Sequence, residues 1–144
     1  MNCNMICRNV TIVLREMDAI GCDMFMDVHG DETLPYNFIA GSHGIPKWSP
    51  RLKKLEDDFL NTIIEINPDM QKEFNYGDDE VADLTICSNQ VGERFDCLSF
   101  TLEMPFKDNA QWPEPVHEWS PERAMRLGAS YLDAIVREME KFRA

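Results

Sequence analysis

The chain has 144 residues, 44% hydrophobic and 28% charged, with a formal net charge of -12; this suits one compact domain over 1–144 that buries roughly two-thirds of its unfolded surface. No apolar run approaches the ~20 residues that span a bilayer, and the negative field, with no basic-aromatic cluster to offset it, excludes non-specific binding to nucleic acid. The start is unlike a secretory signal and the five cysteines form no C-x-x-C pair, so a cytoplasmic protein with reduced thiols is expected, without a disulfide framework or zinc knuckle.

The first periodic segment, 9–20, places Val10, Val13, Leu14, Met17 and Ile20 on one helical face, with Gly21 as its C-cap. From Cys22 to His29 the residues Met24, Met26 and Val28 alternate with Asp23, Phe25, Asp27 and His29. That pattern predicts a strand with Asp27 and His29 on one side. A long loop, 30–46, follows the histidine and is suited to lining a site. Ser49-Pro50 reads as N-cap and first residue of a helix striped by Leu52, Leu55, Phe59, Ile63 and Ile66, and Asn67-Pro68 ends it.

Residues 69–80 lose the pattern and gather acids and turn formers, which predicts a surface excursion. A short strand is expected over 82–88, a connection over 89–96 and a stronger strand over 97–103. In the last, Leu98, Phe100 and Leu102 alternate with Ser99, Thr101 and Glu103. Residues 108–119 read as loop, and Ser120-Pro121 opens a closing helix carrying Ala124, Gly128, Tyr131, Ile135, Met139 and Phe142. Together these elements predict an α/β fold, a mixed sheet with helices on its faces.

Ligand sites in such folds form where strands end at the carboxyl edge of the sheet. His29 and Glu103 end the two best strands, and they pair a strong metal ligand with a general base. A catalytic zinc takes three protein ligands and keeps one position for water or substrate, which a nearby carboxylate can deprotonate. Asp27, on the same strand face, suits the carboxylate that orients a ligating histidine. Each residue also has an ordinary structural reading, the histidine as a hydrogen-bonded strand end and the glutamate as a solvated one. His43 and His117 lie in Gly- or Pro-rich loops without ligand spacing and read as surface residues. Ser42 lacks the G-x-S-x-G elbow of a nucleophile, and glycine-rich phosphate loops are absent.

The wording of the sequence adds to this spacing. Asp27-Val28-His29-Gly30-Asp31-Glu32 is followed by Leu34-Pro35-Tyr36-Asn37-Phe38-Ile39-Ala40-Gly41. Later come Val91-Gly92-Glu93-Arg94-Phe95-Asp96-Cys97 and Thr101-Leu102-Glu103-Met104-Pro105-Phe106-Lys107-Asp108. In this order the blocks resemble the zinc carboxypeptidase superfamily, and within it the bacterial members of the cytosolic carboxypeptidase branch, over about residues 10–144.

The resemblance implies a zinc ion held by His29 as the family's last metal ligand, with Glu103 as its catalytic glutamate. It implies removal of a C-terminal residue from a peptide or protein. Arg94 becomes a candidate contact for a substrate carboxylate. The family's H-x-x-E ligand motif and its carboxylate-binding residues precede the last histidine, yet no histidine precedes His29 here. On this reading the chain is the C-terminal portion of the catalytic domain, lacking the N-terminal part and able to pair with it. Two further readings stay open: an acidic, non-catalytic binding domain or relic of the same fold, and a hydrolase of acylated amino acids on that fold.

Overall fold

The computed structural model describes residues 8–77 and 80–143. Cys3, Cys7 and the acids Asp78 and Asp79 lie outside the described residues, as does the side chain of Val10. Three strands, β1 (Met24–Asp31), β2 (Phe38–Gly41) and β3 (Leu98–Pro105), form one sheet in the order β1-β3-β2. β1 runs parallel to β3 and β2 antiparallel to it. Around them lie helices α1 (Arg8–Ile20), α2 (Pro50–Ile66), α3 (Cys87–Phe95) and α4 (Pro121–Glu138). The fold is therefore α/β with a mixed sheet flanked by helices.

The central strand β3 is buried along nearly its whole length, because both of its faces are covered. One face carries Leu98, Phe100 and Leu102, all in the core with Phe59, Tyr131 and Phe142. Phe59 stands 5.4 Å from Phe100, 6.0 Å from Tyr131 and 6.2 Å from Phe142 between ring centroids. These rings join α2 and α4 to the sheet and account for much of the apolar burial that stabilises the fold.

The other face is built of small polar residues against α3. Ser99 donates to the Ser88 carbonyl at 2.6 Å, and the hydroxyls of Ser88 and Thr101 are 3.1 Å apart. Ser42 donates to the Ser99 carbonyl at 2.7 Å. Gly92 permits this close approach, since a Cβ there would stand 3.2 Å from both Ser42 Oγ and Ser99 Cβ. Every buried hydroxyl in this contact thus has a partner, as burial requires.

Both helix starts follow the caps in the sequence. Ser49 accepts from the Leu52 N–H at 3.3 Å and Ser120 from the Arg123 N–H at 3.2 Å, each with proline in the first turn. Gly21 takes φ 86° and donates its N–H to the Met17 carbonyl at 2.7 Å, ending α1 as expected. The face of α1 is only partly covered: Leu14 and Met17 are half-buried, whereas Val13 and Ile20 are exposed.

Three expectations are corrected. Residues 82–86 form no strand, and helix α3 occupies most of the expected connection. That helix ends at Asp96 in a left-handed conformation, φ 52°, so it lacks the glycine that would have marked its end. Strand β2 lies inside the expected 30–46 loop and is held by its pairing with β3. On α4 the buried face is Arg123, Leu127, Tyr131, Ala134 and Glu138, not the expected stripe through Ala124, Gly128 and Ile135. Gly128 has no side chain to bury, so Leu127 and Tyr131 set the rotation of the helix. No described helix is long and apolar enough to cross a membrane.

Arg123 ties the loops to this frame. It is 8% exposed and its Nε and Nη2 reach the Asp69 carboxylate at 3.0 and 2.5 Å. It also donates to Asp108 at 3.3 Å and to the Trp112 carbonyl at 2.7 Å, and its guanidinium lies 5.2 Å from the Trp119 ring centroid. Asn37, just before β2, and Asn109 donate to the Asp69 carbonyl at 3.2 and 3.1 Å. One cation therefore joins α4, the segment after α2 and the loop after β3.

Candidate active site

Parallel pairing of β1 with β3 sets His29 opposite Glu103, near the carboxyl ends of both strands. Residues paired in this way project to the same side of the sheet, and His29 Nδ1 lies 3.7 Å from Glu103 Oε1. Asp27, two positions earlier on β1, brings Oδ1 to 3.2 Å from His29 Nε2. That carboxylate orients the ring through Nε2, so that Nδ1 is the nitrogen on the Glu103 side.

Glu103 is 7% exposed, whereas the side chain of His29 is half exposed. Glu103 Oε2 is buried and has no hydrogen-bond partner among the described residues. Burial pushes the Glu103 carboxyl above its ordinary range; the His29 charge opposes this, and Asp31, Glu32 and Asp27 push the same way as burial. A buried carboxyl with one unengaged oxygen among the described residues and a raised pKa suits a group that must take up and give back a proton, as a general base or acid does.

The pair opens into a cleft of about 320 Å³ lined also by Ser88, Asn89, Thr101 and Tyr76. Ser88 and Asn89 come from the start of α3, and Thr101 from the β3 face that carries Glu103. Sequence reasoning missed Tyr76, which lies in the acidic excursion and whose ring meets Phe38 edge-on at 4.9 Å. Burial, and after it the Asp31 carboxylate, pushes its hydroxyl pKa up. The local signal was an aromatic residue between Asn75 and Gly77 in a polar stretch. Against burial, which pushes it up, Asp31 is held below the usual carboxylate range by the Thr33 and Leu34 N–H groups and by Tyr76.

His43 also lines the cleft, although its loop setting in the sequence reads as surface. His117 does not line it and lies on the loop before α4. Arg94 sits in the last turn of α3, where it donates to Asp18 through Nε at 2.7 Å and Nη2 at 2.5 Å. It is not among the residues lining the cleft. The fit to a zinc ion is partial. His29 is oriented for ligation and Glu103 Oε2 is unengaged, yet no group of three His, Cys, Asp or Glu among the described residues is placed to hold a metal.

No family model matches the chain. An uncharacterized protein of Zymomonas mobilis is 43% identical over 129 residues, which make up 88% of this chain and 34% of that protein. A metallo-carboxypeptidase from Pseudomonas aeruginosa, solved with (2-guanidinoethylmercapto)succinic acid, superposes with a TM-score of 0.89 at 38% identity, over 92% of this chain and 36% of its own. A metallo-carboxypeptidase from Burkholderia cenocepacia gives 0.86 at 42% identity, over 91% of this chain and 35% of its own. The chain thus shares the zinc carboxypeptidase fold and spans about a third of the length of these proteins.

Proposed function

We propose that this chain contributes His29 and Glu103 to the active site of a zinc metallocarboxypeptidase that hydrolyses the C-terminal peptide bond of peptides or proteins. The observation that supports this best is the pairing of His29 with Glu103 across parallel strands, with Glu103 Oε2 buried and without a partner among the described residues. The similarity to metallo-carboxypeptidases of known structure points the same way. On this reading the chain belongs to the bacterial, cytosolic carboxypeptidase-like branch, acts in the cytoplasm and is the C-terminal portion of the catalytic domain. Because the described residues offer no three-ligand group, the other ligands come from a complementing segment.

When bound, zinc supplies Lewis-acid polarisation of the scissile carbonyl. His29 presents Nδ1 as ligand while Asp27 holds its other nitrogen. Glu103 takes the proton of the attacking water and delivers it to the leaving amine, a double role suited to a buried carboxylate lining the cleft. Thr101, Ser88 and Asn89 give the cleft a neutral polar floor, and Tyr76 flanks it.

The test mixes the chain with the part of the Pseudomonas aeruginosa metallo-carboxypeptidase that it does not cover. Wild type and Glu103→Gln should retain zinc, whereas His29→Ala should lose it; metal content after dialysis is the readout. Equal zinc in wild type and His29→Ala would end the ligand assignment. Release of a free C-terminal amino acid from a peptide, rather than deacylation of an acylated amino acid, separates the proposed reaction from the other hydrolysis on this fold. A role for Arg94 in gripping substrate requires it to leave Asp18, so Arg94→Ala should raise KM; an unchanged KM would remove that role. That the described residues hold no three-ligand group also favours a second reading, a non-catalytic binding domain. That reading expects no chelator-sensitive peptidase activity at any zinc concentration.

A further inference from the structure

At the opposite ends of the same two strands, Cys22 and Cys97 bring their sulfurs to 4.0 Å across a sequence separation of 75. No spacing motif announces the pair, because the topology alone places the residue before β3 beside the residues leading into β1. Cys97 is 3% exposed and Cys22 only partly buried, so a reagent from solvent meets Cys22 first. The Cys22 thiol donates to the Met24 carbonyl at 3.3 Å. Residues 22 and 23 precede the first paired position of β1, Met24 opposite Leu98. Cys22 can therefore shift toward a bonding distance of about 2.05 Å without breaking a ladder bond.

We propose that Cys22 and Cys97 are an oxidisable dithiol that closes to an intrachain disulfide when a small-molecule disulfide such as glutathione disulfide is supplied. The Cys22 thiolate attacks one sulfur of the oxidant, forming a mixed disulfide and expelling one glutathione thiolate. The Cys97 thiolate then attacks Cys22 Sγ and expels the second. Two protein thiols are oxidised, one disulfide is reduced to two thiols, and the two thiol protons end on the released glutathiones. Burial, and after it the Cys22 neighbour, pushes the Cys97 thiol up to about 12, and burial also raises Cys22. The small thiolate fraction makes both attacks slow, so excess oxidant and time are needed to close the bond. Once closed, the bond staples β1 to β3 at the ends remote from His29 and Glu103, holding the register that brings those residues together.

The full reduced chain is incubated with excess glutathione disulfide, alkylated, digested and analysed by mass spectrometry. The expected product is a Cys22–Cys97 linked peptide, accompanied by a rise in Tm of roughly 10 °C that reductant reverses. Cys22→Ser should remove both the link and the rise while leaving Cys87, which is exposed, open to alkylation. Because Cys22 is only partly buried, this variant carries the test even where Cys97→Ser fails to fold. Alkylation of both residues, stable glutathionylation of Cys22 beside a free Cys97, or a link from Cys22 to Cys3, Cys7 or Cys87 would each overturn the proposal.

Discussion

Replacing Arg123 with methionine is expected to lower folding stability by about 3–5 kcal/mol, the range for removing one partner of a buried ion pair. Methionine keeps much of the apolar volume, so the loss would come from groups left behind. Asp69 would keep a carboxylate, 15% exposed, without its cation, and the Trp112 carbonyl would lose its donor. The Asp69 backbone also anchors Asn37 and Asn109, so the damage should spread to the segments around α4. A shift in the urea midpoint measures the loss. Combining Arg123→Met with Asp69→Asn should cost less than the sum of the single changes, because the pair acts as a unit. A loss below about 1 kcal/mol, typical of solvated pairs, would show that the guanidinium is not buried as described.

Glu103→Gln should move stability and catalysis in opposite directions. In the complemented enzyme it should lower kcat by about 10²–10⁴, the usual range for a general base. In the chain alone it should raise stability at neutral pH by about 1 kcal/mol, since an ionised, buried oxygen without a partner among the described residues is removed. The folded-state pKa of Glu103 lies above its unfolded value. Its favourable contribution is thus fully present below the unfolded pKa and is lost as pH rises through the folded one. The advantage of Gln should accordingly appear on the neutral side and fade in acid, where wild type is protonated in both states. Denaturant titrations at pH 4 and pH 7.5 measure this. A variant less stable than wild type at pH 7.5 would mean that the carboxylate is well partnered. In the chain alone, Glu32→Gln removes a repelling charge and should lower the pH at which the advantage of Glu103→Gln sets in.

Caps, periodicity and strand alternation act over a few neighbouring residues, and wherever they sufficed the sequence was legible. Ser49-Pro50 and Ser120-Pro121 marked the starts of α2 and α4, Gly21 the end of α1, and the alternation through His29 and Glu103 the two principal strands. The same local logic put Asp27 and His29 on one face and both chemistry-bearing residues at strand ends, where an α/β sheet binds its ligands. It failed where the signal was short or unusual. Helix α3 has few apolar residues and ends on Asp96 rather than glycine, and the four residues of β2 are a strand only because β3 offers them hydrogen bonds.

By itself, then, the sequence determined the main helices, β1 and β3, the mixed α/β class and the candidates His29 and Glu103. Tertiary structure alone decided that these two share a register position, that Tyr76 and His43 join them in the cleft, that Arg94 is engaged by Asp18, and that Cys22 meets Cys97. The reason is one of range. Local propensity fixes what a segment becomes, but which distant residues meet depends on burying both faces of β3 while satisfying the polar groups that burial removes from water.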